Sequence, residues 1–334
     1  MSKIIKTDLA ERIEQLIEEA KKRTISAVNT AIVYTYYEIG KMIVEDEQQG
    51  EERAKYGKAI LKDISLRLTN KFGRGFSVDN LENMRRFYLV YSNSETLSRN
   101  LGFTLSWSHY LKLMRIDNPE ERKFYEIEAI ENNWSLRELQ RQFDSSLYER
   151  LQLSRDKEGI KELSKKGQII EKAEDVVKDP YILEFLGLQE LPQYSESELE
   201  QRLIDNLQTF LLELGKGFTF VGRQVRFTFD EQHFRVDLVF YNRLLKAFVL
   251  IDLKRGTLKH QDLGQMQMYV NYYDRFVKTE EENPTIGILL CTDKSDAIVE
   301  ITLPKDNNQI FASKYQTYLP SKEELKQLIE DNLK

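Results

Sequence analysis

The run "AFVLIDLK", residues 247–254, ends with an acid and a base, Asp252 and Lys254, two positions apart. Side chains alternate along a strand, so these two share one face while Val249, Ile251 and Leu253 take the other. The preceding run, "FRVDLVFY", carries Asp237. A hairpin turning between Leu244 and Leu245 sets Asp237 directly opposite Asp252, and directly opposed residues point to the same face with Cβ atoms ~5 Å apart. Two carboxylates at that distance repel unless they share a proton, bind a cation or meet a compensating charge. A hard divalent ion such as Mg²⁺ takes one or two carboxylates and leaves positions for water and a phosphate oxygen. It can then activate water against a phosphodiester, with Lys254 orienting that water or neutralising charge at phosphorus. The competing reading is an Asp–Lys ion pair at a strand end with Asp237 merely exposed. For the D-x-K tripeptide alone that reading is the commoner one.

Two further residues bear on the choice. Glu200 extends the apolar stripe of Ile204, Leu207, Leu211 and Leu214 on the preceding helical segment. A carboxylate on a face that packs against a sheet is costly without a partner. Its alternative role is in a capping box, since Ser197 and Glu200 have that spacing, as do Ser195 and Glu198. Gln265 stands at helical spacing from Tyr269, Tyr272 and Phe276, a polar amide on an aromatic face. It is either a satisfied core amide or a group that holds the water or the lysine.

The elements that must position these residues follow from periodicity. The first ~150 residues read as helix: "DLAERIEQLIEEAKKR" and the segment from Val28 to Val44 repeat apolar residues every three or four positions. A helix with Leu61, Ile64 and Leu68 then breaks at "FGRGFS" and resumes with Leu81, Met84, Phe87 and Tyr91, where Gly73 and Gly75 suit positive φ and Ser77 an N-cap. This pattern fits a helix-turn-helix and equally a helical hairpin. "NWSLRELQRQF" opens another helix, with Ser135 and Glu138 at capping-box spacing. Residues 153–190 read as a charged connection. Beyond them come a helix from Ser197 to Leu214, strands in "FVGRQVRFTF", "FRVDLVFY" and "AFVLIDLK", a helix in "DLGQMQMYVNYYDRF", a strand in "TIGILLC", and strand-like pieces around "IVEITL" and "IFASKYQTYL". The expected fold is therefore α+β with two domains: helical 1–152, connection 153–190, and a mixed-sheet α/β domain 191–334.

Composition narrows the functional classes. The 334 residues are 41% hydrophobic and 31% charged, as in an ordinary globular chain. The longest apolar candidate, "AVNTAIVYTYYEIGKMIV", is interrupted by Asn29, Glu38, Gly40 and Lys41 and falls short of the ~20 residues a membrane span needs. One cysteine, Cys291, lies in an apolar run and reads as buried; this and the absence of a secretory pattern point to a reducing cytoplasm. His109, His233 and His260 are scattered, which argues against a zinc site. The net charge is −6, yet from Glu51 to Arg115 twelve Lys and Arg face six Asp and Glu, a local excess that can meet phosphates or simply solvate a helical surface. Arg74 in the glycine turn, and Arg85 and Arg86 on the following helix, are the candidate phosphate contacts.

The succession Glu200, Asp237, then "IDLK" with Asp252 and Lys254, then "GQMQMY" with Gln265 resembles the PD-(D/E)xK nuclease superfamily. "FLLELGKGFTFVGRQ", "DLVFYNRLL", "PTIGILLC", "YEIGKMI", "FGRGFS" and "WSLRELQRQ" are similar to the bacterial YhcG-like nuclease family over nearly the whole chain. The resemblance implies a helical domain suspected of DNA binding followed by a restriction-endonuclease-like domain. It also implies Mg²⁺ or Mn²⁺ held by Glu200, Asp237 and Asp252, a catalytic lysine at Lys254 and an assisting glutamine at Gln265. Val236 stands where the superfamily name has proline, and Asp252 where relatives often have Glu. The resulting expectation is a metal-dependent DNA endonuclease. Its alternatives are a catalytically inactive DNA-binding adaptor on a nuclease fold and a protein-interaction module. DNA is the expected partner, and self-association or protein partners of a defence or mobile-element system are family-level suggestions.

Overall fold

The computed structural model describes residues 9–48, 54–92, 102–153, 163–188 and 194–319, together with 321 and 325. The chain divides into two compact units, residues 1–140 and 141–334.

In the first unit, the two amphipathic segments expected at its start form one helix, α1 (Leu9–Gln48). Helices α2 (Ala54–Phe72) and α3 (Val78–Tyr91) follow across the glycine turn, where Gly73 and Gly75 have φ of 83° and 124° and the Ser77 side chain caps α3 by accepting from the Asn80 N–H. The closest approach to α3 comes from α1: a Cβ on Gly40 would lie 2.0 Å from the Met84 carbonyl oxygen, so only glycine admits this crossing. Helices α4 (Trp107–Leu113) and α5 (Pro119–Glu131) complete an aromatic core in which Phe87 has the rings of Tyr91, Phe103, Trp107 and Tyr110 between 4.9 and 5.3 Å away. Helix α6 (Leu136–Asp144) crosses the boundary between the units and opens with the expected capping box: Glu138 N–H donates to Ser135 Oγ and Ser135 N–H to Glu138 Oε2.

The second unit begins with the end of α6 and with α7 (Leu147–Leu153). Its sheet holds β1 (Tyr181–Ile182), β2 (Phe218–Phe229), β3 (Gln232–Asn242), β4 (Ala247–Thr257), β5 (Ile286–Asp293) and β6 (Ile310–Gln316), in the order β1-β6-β5-β4-β3-β2. The β2–β3 and β3–β4 pairs are antiparallel and the others parallel, which makes the sheet mixed. Helices α8 (Glu196–Asp205) and α9 (Leu207–Leu214) cover one face, packing Leu199, Leu203, Phe210 and Leu214 on Leu238, Phe240, Val249, Ile251 and Leu253. Helix α10 (His260–Phe276) covers the other, packing Leu263, Met266, Tyr269 and Val270 on Val236, Leu250, Leu289 and Cys291. Full burial of each such side chain contributes ~1.5–3 kcal/mol, so the two layers lock β4 in place from both sides.

Three elements differ from the sequence expectation. The helix expected over Ser197–Leu214 is two helices, because Asn206 takes φ −114° and ψ 28° and turns its amide back to the Arg202 carbonyl. That break rephases the stripe, so Leu199, Leu203 and Phe210 are buried and Ile204, Leu207 and Leu211 lie at the edge of the cluster. "IVEITL" is not a strand: it lies in a helix, α11 (Asp296–Thr302), on which Ile301 is 86% exposed. The stretch 153–190 is more than a connection, since Val176, Tyr181, Ile182, Leu183 and Leu186 join the core and β1 pairs in parallel with β6.

Candidate active site

The β3–β4 register is the one the hairpin arithmetic requires, with Leu238 opposite Ile251 and Asn242 opposite Ala247. The ladder stops there, one residue short of Asp237 and Asp252. Leu253 N–H, which points toward β3, donates instead to Asp237 Oδ2 at 2.8 Å. A side-chain carboxylate thus replaces the main-chain acceptor where the two strands splay. The alternation of β3 also slips here: Val236 belongs to the cluster under α10 and Leu238 to the cluster under α8 and α9. Facing the slip on β2 is Gln224, with φ 47°, a left-handed conformation that is strained for a residue bearing a Cβ.

Gln224 links two acids. Its amide donates to Glu200 Oε2 at 2.6 Å and to Asp237 Oδ1 at 3.0 Å. Glu200 reaches the sheet from the buried side of α8, 8% exposed. The N-cap of α8 is Ser195, whose Oγ accepts from Glu198 N–H, so Glu200 has no capping role. Arg223 stands 4.0 Å from Glu200 Oε1, and that oxygen is buried without a hydrogen bond.

Asp252 is 3% exposed, with Lys254 Nζ 2.6 Å from Oδ2. The contact is an ion pair without the directional geometry of a hydrogen bond. Burial first, and then the Asp237 charge, push the Asp252 carboxyl up to about 7 despite the lysine. Burial and Asp237 likewise raise Glu200, against the Gln224 bond and Arg223. For Lys254 burial alone would lower the pKa, but Asp252, with Asp237 and Glu196 behind it, raises it, so the side chain is a firm cation. Gln265 donates to the Tyr269 hydroxyl, and Tyr269 is raised by burial and by the nearby Asp252 charge.

The structure therefore brings Glu200, Asp237, Asp252 and Lys254 into one electrostatically linked group and sets Gln265 beside it through Tyr269. Gln224 is the member that sequence reasoning missed. Its only signal is an amide in the middle of "GRQVRF", and its role depends on a backbone conformation that residue type does not announce. Glu196, whose Oε1 accepts from Arg255 N–H, was also unmarked.

In the first unit Arg74 is exposed. Arg85 Nε lies 2.6 Å from Glu47, and Arg86 donates to the Met114 carbonyl oxygen.

As the side chains stand, no three His, Cys, Asp or Glu residues among the described residues are grouped around one ion position. Instead the Gln224 amide separates Glu200 from Asp237, and Lys254 faces Asp252. The donor set nevertheless suits a hard divalent ion: every candidate ligand is a carboxylate oxygen, Glu200 Oε1 is buried without a hydrogen bond, and Asp252 Oδ2 meets the Lys254 ammonium.

A mixed sheet that gathers carboxylates and a lysine where its central strands splay is the arrangement of a PDDEXK nuclease domain. Residues 174–331 match the YhcG PDDEXK nuclease domain, and residues 12–150 match the DUF1016 N-terminal domain. A protein of Escherichia coli (strain K12) named "Putative nuclease YhcG" is 38% identical over 341 residues, which cover 94% of this chain and 90% of that protein. The chain belongs to this family of YhcG-type nuclease proteins, with a helical N-terminal region followed by a mixed-sheet PDDEXK nuclease domain. PDDEXK nucleases generally use divalent metal ions. Among solved structures, a repair endonuclease from Pyrococcus abyssi is 17% identical with a TM-score of 0.25, covering 39% of this chain and 49% of its own. An EndoMS–dsDNA complex is 16% identical with a TM-score of 0.27, covering 38% and 46%. No helix among the described residues is long and apolar enough to cross a membrane.

Proposed function

We propose that the protein is a metal-dependent DNA endonuclease that hydrolyses phosphodiester bonds. The observation that carries this reading is the charge imbalance of the site: three neighbouring carboxylates face one lysine and the half-exposed Arg223, and Asp252 is pushed up to about 7. Such a group is costly by itself and favourable around a divalent cation.

In this reading Glu200, Asp237 and Asp252 hold Mg²⁺ or Mn²⁺. The bound ion supplies Lewis acidity toward the phosphate and an acidified water. Lys254, held charged beside Asp252, orients the attacking water and offsets negative charge growing on the phosphorus oxygens. The Leu253 N–H and the Gln224 amide fix the two oxygens of Asp237, so its carboxylate cannot rotate away. Gln265 is a positioning residue acting through Tyr269. The helical unit binds DNA, with Arg74 free to meet phosphate and Arg85 and Arg86 exchanging their Glu47 and Met114 contacts for it.

The test is cleavage of plasmid and branched DNA with Mg²⁺ and with EDTA. Cutting in Mg²⁺ alone, lost in Asp252→Ala and in Lys254→Ala, is the expected result. Metal-independent cutting, or full activity in either variant, would refute the mechanism. DNA binding in Ca²⁺ without cutting in Mg²⁺ or Mn²⁺ would make the protein a DNA-binding adaptor.

A further inference from the structure

A row of aromatic rings leads away from the acidic site. Tyr269, beside Asp252, meets Phe227 edge-on at 5.6 Å, and Phe227 stacks on Tyr272 at 4.0 Å. Tyr272 lies 5.3 Å from Phe276, and Phe276 lies 6.1 Å from Phe229. The row ends in solvent: Phe229 is 53% exposed and Phe276 62% exposed. Two large aromatic side chains left in water are unfavourable for a surface with nothing to cover them.

Phe227, Phe229, Tyr272 and Phe276 form one wall of a cavity of about 330 Å³. The other wall is polar. Gln267, Asn271 and Arg275 follow one another at four-residue intervals on a single face of α10 and line the same space. Its volume is near the lower end of small-ligand pockets, ~300 Å³, which suits one flat ring system rather than a long apolar segment. Aromatic faces stack on nucleobases of any sequence, and amide side chains bond their edges.

The same β2–β3 hairpin has a second surface. Phe227 and Phe234 point toward α10, so Arg226 and Arg235, which are directly opposed in the ladder, point the other way. Both are exposed, and neither guanidinium has an ion-pair partner among the described residues. Like charges directly opposite one another destabilise a hairpin, and an anion between them reverses that effect. The hairpin turns at Asp230 and Glu231, with φ of 50° and 61°, so Phe229 sits at the very tip.

The geometry points to a DNA-binding site in which the β2–β3 hairpin enters a junction of paired and unpaired strands, stacking an unpaired base on Phe229 and Phe276 while Arg226 and Arg235 hold backbone phosphate. It rests on the reading of the protein as a DNA enzyme and narrows the substrate to DNA with unpaired bases beside the scissile bond. Continuity of the aromatic row with Tyr269 ties this groove to the acids and the lysine.

The experiment measures binding in EDTA, so that cutting plays no part, by fluorescence anisotropy of the full chain with a labelled duplex and with the same duplex carrying unpaired arms. The expected result is tighter binding of the armed DNA, and a loss of that preference by roughly 5- to 100-fold in Phe229→Ala/Phe276→Ala with duplex affinity unchanged. Arg226→Ala/Arg235→Ala is expected to weaken both DNAs and to lower the dependence of log affinity on log salt by about 2. Equal binding of the two DNAs by the wild-type protein, no binding of the armed DNA, or a preference that survives the double phenylalanine substitution overturns the proposal. A fall in sedimenting mass in that variant with unchanged DNA affinity also overturns it, and makes the groove a contact between copies of the chain. A preference for armed DNA without cutting in Mg²⁺ leaves this inference standing and refutes the endonuclease reading alone.

Discussion

The second unit buries two charge clusters built on neighbouring helices, and they are opposites. Glu213 on α9 lies among cations: Arg150 Nη1 at 2.6 Å, Arg141 Nη2 at 3.5 Å and the nearby Lys178. Burial would push its carboxyl up, but the three cations outweigh burial and hold it down to about 2. Its remaining capacity is used by the Ile182 N–H at 2.9 Å. Glu200, thirteen residues earlier on α8, instead shares its site with two more carboxylates, one lysine and the half-exposed Arg223 at 4.0 Å. There the balance reverses, and Asp252 rises to about 7. A carboxylate outweighed by its cations is an anchor, here tying α7, α9 and β1 together. A cluster of the same residue types left short of positive charge is a candidate functional centre, as strongly perturbed acids commonly are.

The largest expected effect comes from breaking the anchor. Glu213→Ala leaves Arg150 and its partners buried without their counter-charge and should cost ~3–5 kcal/mol, read as a shift of the urea midpoint of the second unit. A loss below ~1 kcal/mol would show that this cluster is no anchor.

Asp252→Asn should move stability the other way. The Asp252 carboxyl titrates at about 7 in the fold against an ordinary 3.8, so the folded state holds the proton more tightly. Its contribution is therefore fully present below pH ~4 and is lost as pH rises through ~7. The substitution should raise the melting temperature at pH 8, by the equivalent of ~1–2 kcal/mol, and leave it nearly unchanged at pH 4. A lower melting temperature at pH 8 would contradict the account of an unbalanced site.

Gln224→Ala sharpens the same contrast on a smaller scale. It removes the donor between Glu200 and Asp237 and leaves the left-handed φ as it is, because alanine keeps a Cβ, so the net loss should be ~1 kcal/mol at neutral pH, smaller at pH 4 where protonated Glu200 no longer repels Asp237. Thermal melts at the two pH values read both arms, and a loss that does not depend on pH would assign Gln224 a purely steric role.

The two clusters also differ in how visible they were in the chain. The acidic site was legible because a strand's period of two and a hairpin's symmetry are set by spacing, so Asp237, Asp252 and Lys254 could be aligned from "FRVDLVFY" and "AFVLIDLK" alone. Gln224 was hidden because a positive φ at a glutamine arises from the splay of three strands rather than from its own preference. The anchor was hidden because Arg141, Arg150 and Lys178 come from segments that read as ordinary charged helix or connection, and only tertiary packing brings them to Glu213. Asn206 divided an apolar helical pattern by a local amide bond that competes with helix formation. "IVEITL" is rich in β-branched residues, yet it lies at the periphery, where no sheet edge takes it up and helix formation wins.

The central claim is that the unbalanced carboxylates exist to hold a divalent ion. Titration calorimetry of Mg²⁺ or Mn²⁺ into the wild-type chain and into Asp252→Asn tests it most directly. Saturable binding to the wild type that is lost in the variant is the expected result. Heat-silent titration of the wild type at millimolar ion, or equal binding by Asp252→Asn, would contradict it.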